Sequence, residues 1–268
     1  MQRWDFETLW EAVQPLLPGF TVEVLPSIDS TNSELMRRAR VGQLDPILLV
    51  TEEQTAGRGR LGREWLSGGE EASVGAKIPS LTFSLGLPLN PVSWSGLSLA
   101  VGASVAHGLH PDLRLKWPND VWLADRKLGG ILIETASFGG ARYLVIGIGI
   151  NILARDGGGL STPPAWLKEV HPDMDAPAAL HCLLVPLVRD VLRFQADGFA
   201  PFQRRFATLD ALAGRVVQLS DGTCGVAQGV DADGALVVQT PTGLKKITSA
   251  EVSVRPAVVN RSTPSNSC

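Results

Sequence analysis

Cysteine is scarce in this chain, and its placement excludes more than its number does. Cys182, Cys224 and Cys268 are widely separated, odd in number and in no CxxC pair. Neither a disulfide framework nor a thiolate metal site is expected, and a reducing cytoplasm is the default compartment. Long apolar runs are also missing: no window approaches ~18 uncharged apolar residues, which removes a transmembrane helix and with it a membrane role. Trp4, Asp5, Glu7 and Glu11 stand where a secretory signal would need a basic start and an unbroken apolar run. Positive charge is not in excess either. With 24 Lys and Arg against 27 Asp and Glu, the net charge is −3, and the chain lacks the basic balance that general nucleic-acid binding requires. There is no internal repeat.

What remains is a globular composition, 268 residues with 44% hydrophobic and 19% charged, long enough for one large domain and a small one. Helical spacing at Phe6, Leu9, Trp10, Val13, Leu16 and Leu17 ends at Pro18-Gly19. A strand follows at 21–25, then a helix to about Arg40 that Asp29-Ser30-Thr31-Asn32 can cap. Further strands are predicted at 47–51 and 81–87, separated by a Gly-, Ser- and Glu-rich insertion at 67–80. A long helix is predicted over 92–109. Segments 113–116, 121–123, 128–134 and 142–150 are strands with very short connections, so the sheet is mixed and largely antiparallel. Helices are expected over 177–195, kinked at Pro186, and over 201–209. After Gly214, the turns Asp221-Gly222, Asp233-Gly234 and Thr242-Gly243 recur about every ten residues, which predicts a small β-barrel. The fold class is therefore α+β. Domains of 1–212 and 213–258 are expected, with a disordered tail at 259–268.

The segment from Ala56 to Trp65 sets Arg58, Arg60 and Arg63 between Gly57, Gly59 and Gly62. Three guanidiniums within six residues repel one another unless an anion is present, and glycine backbone N–H groups are open to a ligand. A solvated basic loop has the same composition. The strand that precedes it favours a ligand strap, because α/β sheets place ligand sites at strand ends. The run matches neither a Walker A loop nor a dinucleotide fingerprint, and a small-molecule phosphate is its expected anion.

Lys116-Trp117-Pro118-Asn119-Asp120 lies between two short strands, where Pro118 is expected to leave Asn119 and Asp120 at a loop tip. Pro-Asn-Asp is also ordinary turn chemistry. Lys127 precedes Leu128-Gly129-Gly130-Ile131-Leu132, and paired glycines weaken a strand unless a ligand or another backbone comes close. A surface lysine at a strand end remains the alternative. Taken together, two lysines, the glycines and a nearby carboxylate make a candidate acyl- or phosphoryl-transfer site.

Asp29-Ser30-Thr31-Asn32, Gln54 with Gly57 to Trp65, Lys116 to Asp120, Lys127 to Leu132 and Gly147-Ile148-Gly149-Ile150-Asn151 occur in this order. In this the chain resembles the biotin protein ligases, over about 22–255. The resemblance implies a class II synthetase-like catalytic domain with a C-terminal SH3-like barrel. It further implies use of ATP, Mg²⁺ and biotin as substrates and ion, and a biotin carboxyl carrier domain of acetyl-CoA carboxylase or another biotin-dependent carboxylase as partner. By the same resemblance, Ser30, Thr31, Asn32, Gln54, Arg58, Gly59, Arg60 and Lys127 bind biotin or its adenylate. Lys116 and Asn119 face phosphates, Asp120 orients or deprotonates the acceptor lysine, and Asn151 closes the nucleotide side. Trp166 would stack on adenine and Arg255 would reach the nucleotide. Arg58, Arg60, Lys116, Asp120 and Lys127 form the expected catalytic set.

Two departures stand out. Leu61 occupies a strap position that is often basic in the family, and the 70–80 stretch is longer than in many relatives, in a region that can touch a partner copy, so a homodimer is possible. Only 28 residues precede Asp29, too few for a winged helix-turn-helix, so direct DNA binding is not expected. Lipoate or octanoate transfer is the alternative reading within related chemistry. A non-catalytic biotin or nucleotide sensor is the alternative of another class.

Overall fold

The computed structural model describes residues 4–67, 78–157, 162–248 and 254–256, the first two of the last segment by backbone alone. Its larger sheet has seven strands in the order β1 (Thr21–Ile28), β2 (Ile47–Gln54), β3 (Ser80–Pro88), β7 (Ala141–Asn151), β6 (Arg126–Phe138), β5 (Asp120–Leu123) and β4 (Arg114–Lys116). β1 and β2 are parallel, with helix α2 (Thr31–Arg40) between them in sequence, and every other neighbouring pair is antiparallel. The short connections explain the antiparallel part. Gly139 and Gly140 turn β6 into β7 with φ of 55° and 84°, a left-handed pair that suits a two-residue hairpin. Ala124 and Asp125 do the same between β5 and β6 with φ of 47° and 61°, and Asp125 is held there by Arg215 at 2.6 Å.

Helices cover both faces of the sheet, which is why β3 is buried from Ser80 to Leu87. Leu81, Phe83, Leu85 and Leu87 join the large core with α1 (Phe6–Val13), α3 (Leu97–Leu109) and α4 (Ala176–Asp197). On the other face α2 packs Leu35, Met36 and Ala39 against Leu49, Tyr143 and Val145. Ser84 on β3 meets the start of α2, so the strand's period of two sorts apolar residues to one core and polar ones toward the cleft. Ser30 caps α2, its hydroxyl accepting from Ser33 N at 3.3 Å, and Arg37, Arg38 and Arg40 in the last turn suit the helix dipole.

Two helix expectations need correction or refinement. The helix expected from Val92 starts at Leu97, because Gly96 is left-handed (φ 80°) and packs against the Phe199 ring, where a Cβ would lie 2.6 Å from Cδ2. At Pro186, α4 continues as one 22-residue element. Asp175 caps it by accepting from Ala178 N at 2.9 Å, Gly198 ends it, and its apolar stripe is buried along its length.

The smaller sheet is antiparallel, in the order β11 (Gly243–Ile247), β10 (Leu236–Thr240), β9 (Cys224–Val230), β8 (Val216–Leu219) and β12 (Val254–Pro256). The turn spacing had suggested a small β-barrel here, and the family resemblance an SH3-like one. Among the described residues β11 and β12 do not pair, so the sheet is open between them. It docks on the main body through helix α5 (Ala200–Leu209) and through Trp117, whose buried Nε1 donates to Gly234 O at 3.0 Å. Among the described residues Cys182 is a free, exposed thiol. Most of the 67–80 insertion and all of the 259–268 tail lie outside the described residues.

Candidate active site

The strap, the start of α2 and the ends of β2, β5, β6 and β7 enclose a cavity of about 480 Å³. Ser30, Thr31, Asn32, Gln54, Arg58, Gly59, Arg60, Lys116, Asn119, Asp120, Lys127 and Asn151 all line it. Of the expected residues, Trp166 is not in the lining, and Arg255 is described by its backbone alone. Trp166 lies beneath the Arg126 guanidinium, 5.7 Å from ring centroid to Cζ. Arg255 pairs its backbone with Gln218.

The strap is a closed hairpin. Trp65 N donates to Gly57 O at 2.9 Å, Gly59 N donates to Arg63 O at 2.7 Å, and Arg60 to Gly62 form a single tight turn at the tip. Leu61 and Gly62 there have φ of 56° and 70°. Gly57 is needed for a different reason: a Cβ would run into the Trp65 carbonyl and lie 2.7 Å from Gln54 Nε2. Arg58 is tied back to the sheet, with Nη2 3.0 Å from Glu134 Oε2 and Nε donating to Ser33 Oγ at 2.9 Å. Arg60 reaches into the cleft, where Nη1 donates to Asn119 Oδ1 at 3.4 Å. Burial, joined by repulsion from Arg63, lowers its pKa, and the charge of Asp120 opposes that shift.

One end of the cleft is neutral and hydrogen-bonding. Gln54 Oε1 accepts from Thr31 N at 2.8 Å and Thr31 Oγ1 at 3.1 Å, and Ser84 Oγ lies 2.7 Å from Thr31 Oγ1 and 2.6 Å from Asn32 Oδ1. Asn32 Nδ2 continues the chain to Glu134 Oε2 at 2.9 Å. Thr82 Oγ1 and Trp65 Nε1 are buried beside this network with no partner among the described residues. Buried polar atoms are costly without partners, so a ligand with polar groups is the natural occupant.

The other end is charged. Asp120, with 16% of its side chain exposed, places Oδ1 2.8 Å from Lys127 Nζ and Oδ2 3.9 Å from Lys116 Nζ. It begins strand β5 rather than standing at the expected loop tip, because its Cα partners Lys116 on one side and Gly130 on the other. A Cβ at Gly130 would meet Lys127 Nζ at an ordinary 3.5 Å, so this glycine borders the lysine without being sterically required. Asn119 is fixed by its Nδ2 donating to Ile131 O at 2.9 Å. Asn151 Nδ2 donates to Ala165 O at 2.9 Å, and Arg155 Nη1 donates to Asn151 Oδ1 at 2.7 Å.

Sequence reasoning gave no role to Ser84, Glu134, Trp65 or Arg155. A serine amid buried apolar residues of a strand was a usable signal for Ser84. Glu134 and Arg155 carried none, since each reaches the site across the sheet or from an irregular loop. Gly147 and Gly149 proved sterically required, a Cβ at the first falling 2.8 Å from Asn32 Cγ and at the second 2.9 Å from Trp65 Nε1.

Residues 24–151 match the biotin/lipoate A/B protein ligase family, and residues 215–255 match the biotin protein ligase C-terminal domain. The bifunctional ligase/repressor BirA of Escherichia coli K12 is 38% identical over 253 residues, covering 90% of this chain and 76% of that protein. The biotin–[acetyl-CoA-carboxylase] ligase of Paracoccus denitrificans is 33% identical, covering 85% and 98%. The structure of the Aquifex aeolicus biotin protein ligase in complex with biotin and ATP superimposes with a TM-score of 0.73 at 29% identity, covering 88% of this chain and 99% of that one.

Proposed function

The chain belongs to the biotin protein ligase family, and from that premise we propose how its cleft divides the work. The protein is an ATP-dependent ligase that attaches biotin to a carrier protein. The neutral Thr31–Gln54–Ser84 end suits the ureido group of biotin, which both donates and accepts hydrogen bonds. The valeryl carboxylate then points toward Lys127, and the ATP phosphates lie among Arg60, Lys116 and Lys127.

In the first half-reaction a biotin carboxylate oxygen attacks the α-phosphorus, the bond to the bridging oxygen breaks, and pyrophosphate leaves. Fixed cations offset the charge that develops. Mg²⁺ would supply further charge neutralisation on the phosphates. Among the described residues no group of three His, Cys, Asp or Glu could hold a metal, and Asp120 is engaged by two lysines. In the second half-reaction the carrier lysine nitrogen attacks the acyl carbon, the bond to AMP breaks, and Asp120 orients the amine and takes its proton. The phosphates draw Lys116 and Lys127 away from Asp120, which frees the carboxylate for that task. The strap keeps water from the mixed anhydride.

Ser30, Asn32, Arg58 and Gly59 support biotin and the strap in this reading, and Asn119 and Asn151 border the nucleotide. Arg255 and Trp166 are retained as proposed nucleotide contacts. We divide the chain into a catalytic domain over 1–212 and an SH3-like domain over 213–258, supported by the two separate sheets. A carboxylase carrier domain in the cytoplasm is the proposed acceptor, after the Paracoccus relative's substrate. The observation that carries the reading is the joining of a neutral hydrogen-bonding end and a Lys–Asp–Lys cluster in one cavity. Incubation with biotin, Mg-ATP and the acetyl-CoA carboxylase carrier domain, followed by mass analysis, should show one biotinylated lysine. Modification by lipoate in place of biotin would overturn it.

A further inference from the structure

Each cation of the cleft can be asked what balances its charge. Arg58 pairs with Glu134 at 3.0 Å, and Lys116 and Lys127 share Asp120. Arg60 feels the charge of Asp120 as well. Arg155 differs. It lines the same cavity, is half-buried, and has no carboxylate within 4.0 Å among the described residues. Among the described residues its one hydrogen-bonding contact is the neutral Asn151 amide at 2.7 Å, and its guanidinium sits 5.9 Å from the Trp65 ring centroid. Burial alone lowers its pKa, with no opposing charge. A guanidinium stays protonated in proteins, so its positive charge is carried into the cleft uncompensated, an arrangement that favours an anionic ligand.

We propose that Arg155 is a nucleotide-binding residue that contacts the phosphate chain of ATP, with Asn151 and Trp65 holding its guanidinium in place. This rests on the assignment of the cleft to biotin and ATP. The biotin carboxylate is the other anion available, and three features favour phosphate. Arg155 hangs on Asn151, which is anchored at the Lys127 side of the cavity through Ala165 O and Lys127 O. The carboxylate carries one charge, which the Lys127 and Lys116 pair can meet. The triphosphate carries several and calls for more cations than the lysine pair, and Arg58, Lys116 and Lys127 are already shared with Glu134 or Asp120. A planar fork of donors also matches phosphate oxygens well.

The test uses the full chain and two titrations, one with biotin alone and one with a non-hydrolysable Mg-ATP analogue in the presence of saturating biotin. Arg155→Gln keeps a donor for Asn151 and removes the charge, and Arg155→Lys restores charge without the fork. Loss of a charge-assisted contact should weaken nucleotide binding by on the order of 10- to 100-fold in Arg155→Gln. Biotin affinity should stay within about twofold, and Arg155→Lys should recover part of the nucleotide affinity. Equal weakening of biotin and nucleotide would assign Arg155 to the carboxylate or to folding of the site and overturn the proposal. Unchanged nucleotide affinity in Arg155→Gln would overturn it too. Failure of the unsubstituted chain to bind biotin or nucleotide would instead reject the assignment of the cleft itself.

Discussion

Replacing Asp120 by Asn separates the two half-reactions, because the carboxylate bears on them with opposite sign. At an effective dielectric of about 20, contacts of 2.8 Å to Lys127 and 3.9 Å to Lys116 correspond to gross attractions of ~6 and ~4 kcal/mol before desolvation is counted. The amide keeps the shape and abolishes both. Lys116 and Lys127 then face the phosphates without a competing carboxylate, so adenylation should be unchanged or modestly faster. Transfer loses its proton acceptor, and general-base contributions of roughly 10²- to 10⁴-fold correspond to about 2.7–5.5 kcal/mol of barrier. Biotin-dependent exchange of pyrophosphate into ATP reports the first step. Single-turnover quench of preformed biotinyl-adenylate with carrier domain reports the second. An ordinary lysine amine has a pKa near 10.4, so raising the pH from 7 to 9 increases the neutral form about 100-fold. Transfer by Asp120→Asn should climb steeply over that range and its deficit should narrow. Equal loss of both half-reactions would refute this reasoning and place Asp120 in nucleotide or metal binding.

Three further outcomes are expected. Arg60→Gly removes the half-buried guanidinium that joins the strap to Asn119, so biotinyl-adenylate should escape about tenfold faster or more while its formation changes only a few-fold; rapid filtration of the bound intermediate measures this, and unchanged escape removes the retaining role. Gly147→Ala drives a methyl group against the Asn32 side chain, 2.8 Å from Cγ, which should cost about 1–3 kcal/mol and weaken biotin binding; a variant with normal melting and normal biotin affinity would contradict the packing. The Asp29 carboxyl is held down to about 2 by its hydrogen bonds and charge contact with Arg37, aided by Ser30 N. Its folded pKa lies below the ordinary 3.8, so the stability it contributes is present above that value and lost as pH falls toward 2. The stability difference between the unsubstituted chain and Asp29→Asn should be constant near neutrality and shrink between pH 4 and 2, as followed by tryptophan fluorescence in urea.

Much of the architecture was legible because local signals and tertiary structure agree. Buried strands between tight turns, a capped α2 and ten-residue turn spacing after Gly214 announce their conformation over a few residues. The helix start at Gly96 was not legible, because the left-handed geometry there answers to Phe199, about a hundred residues away. The cleft divides in the same way. The strap, Lys116, Asp120 and Lys127 stand in compact motifs whose charges and glycines no local element requires, so sequence brings them forward. Glu134, Ser84 and Arg155 are single residues on a strand or an irregular segment, and their value depends on neighbours supplied by other strands.

By itself, then, the sequence determined the residue chemistry and the family: cations interleaved with glycine, a lysine–carboxylate–lysine set, and elements whose short connections force a largely antiparallel sheet. Only the tertiary structure decided which charges cancel. Arg58 goes to Glu134 and the two lysines to Asp120, and Arg155 is left with an amide and an aromatic ring. That division follows from strand register and sheet order, which bring residues separated by up to 102 positions within hydrogen-bonding distance in this cleft. Electrostatic balance falls off with distance in space, and spacing along the chain carries little information about it.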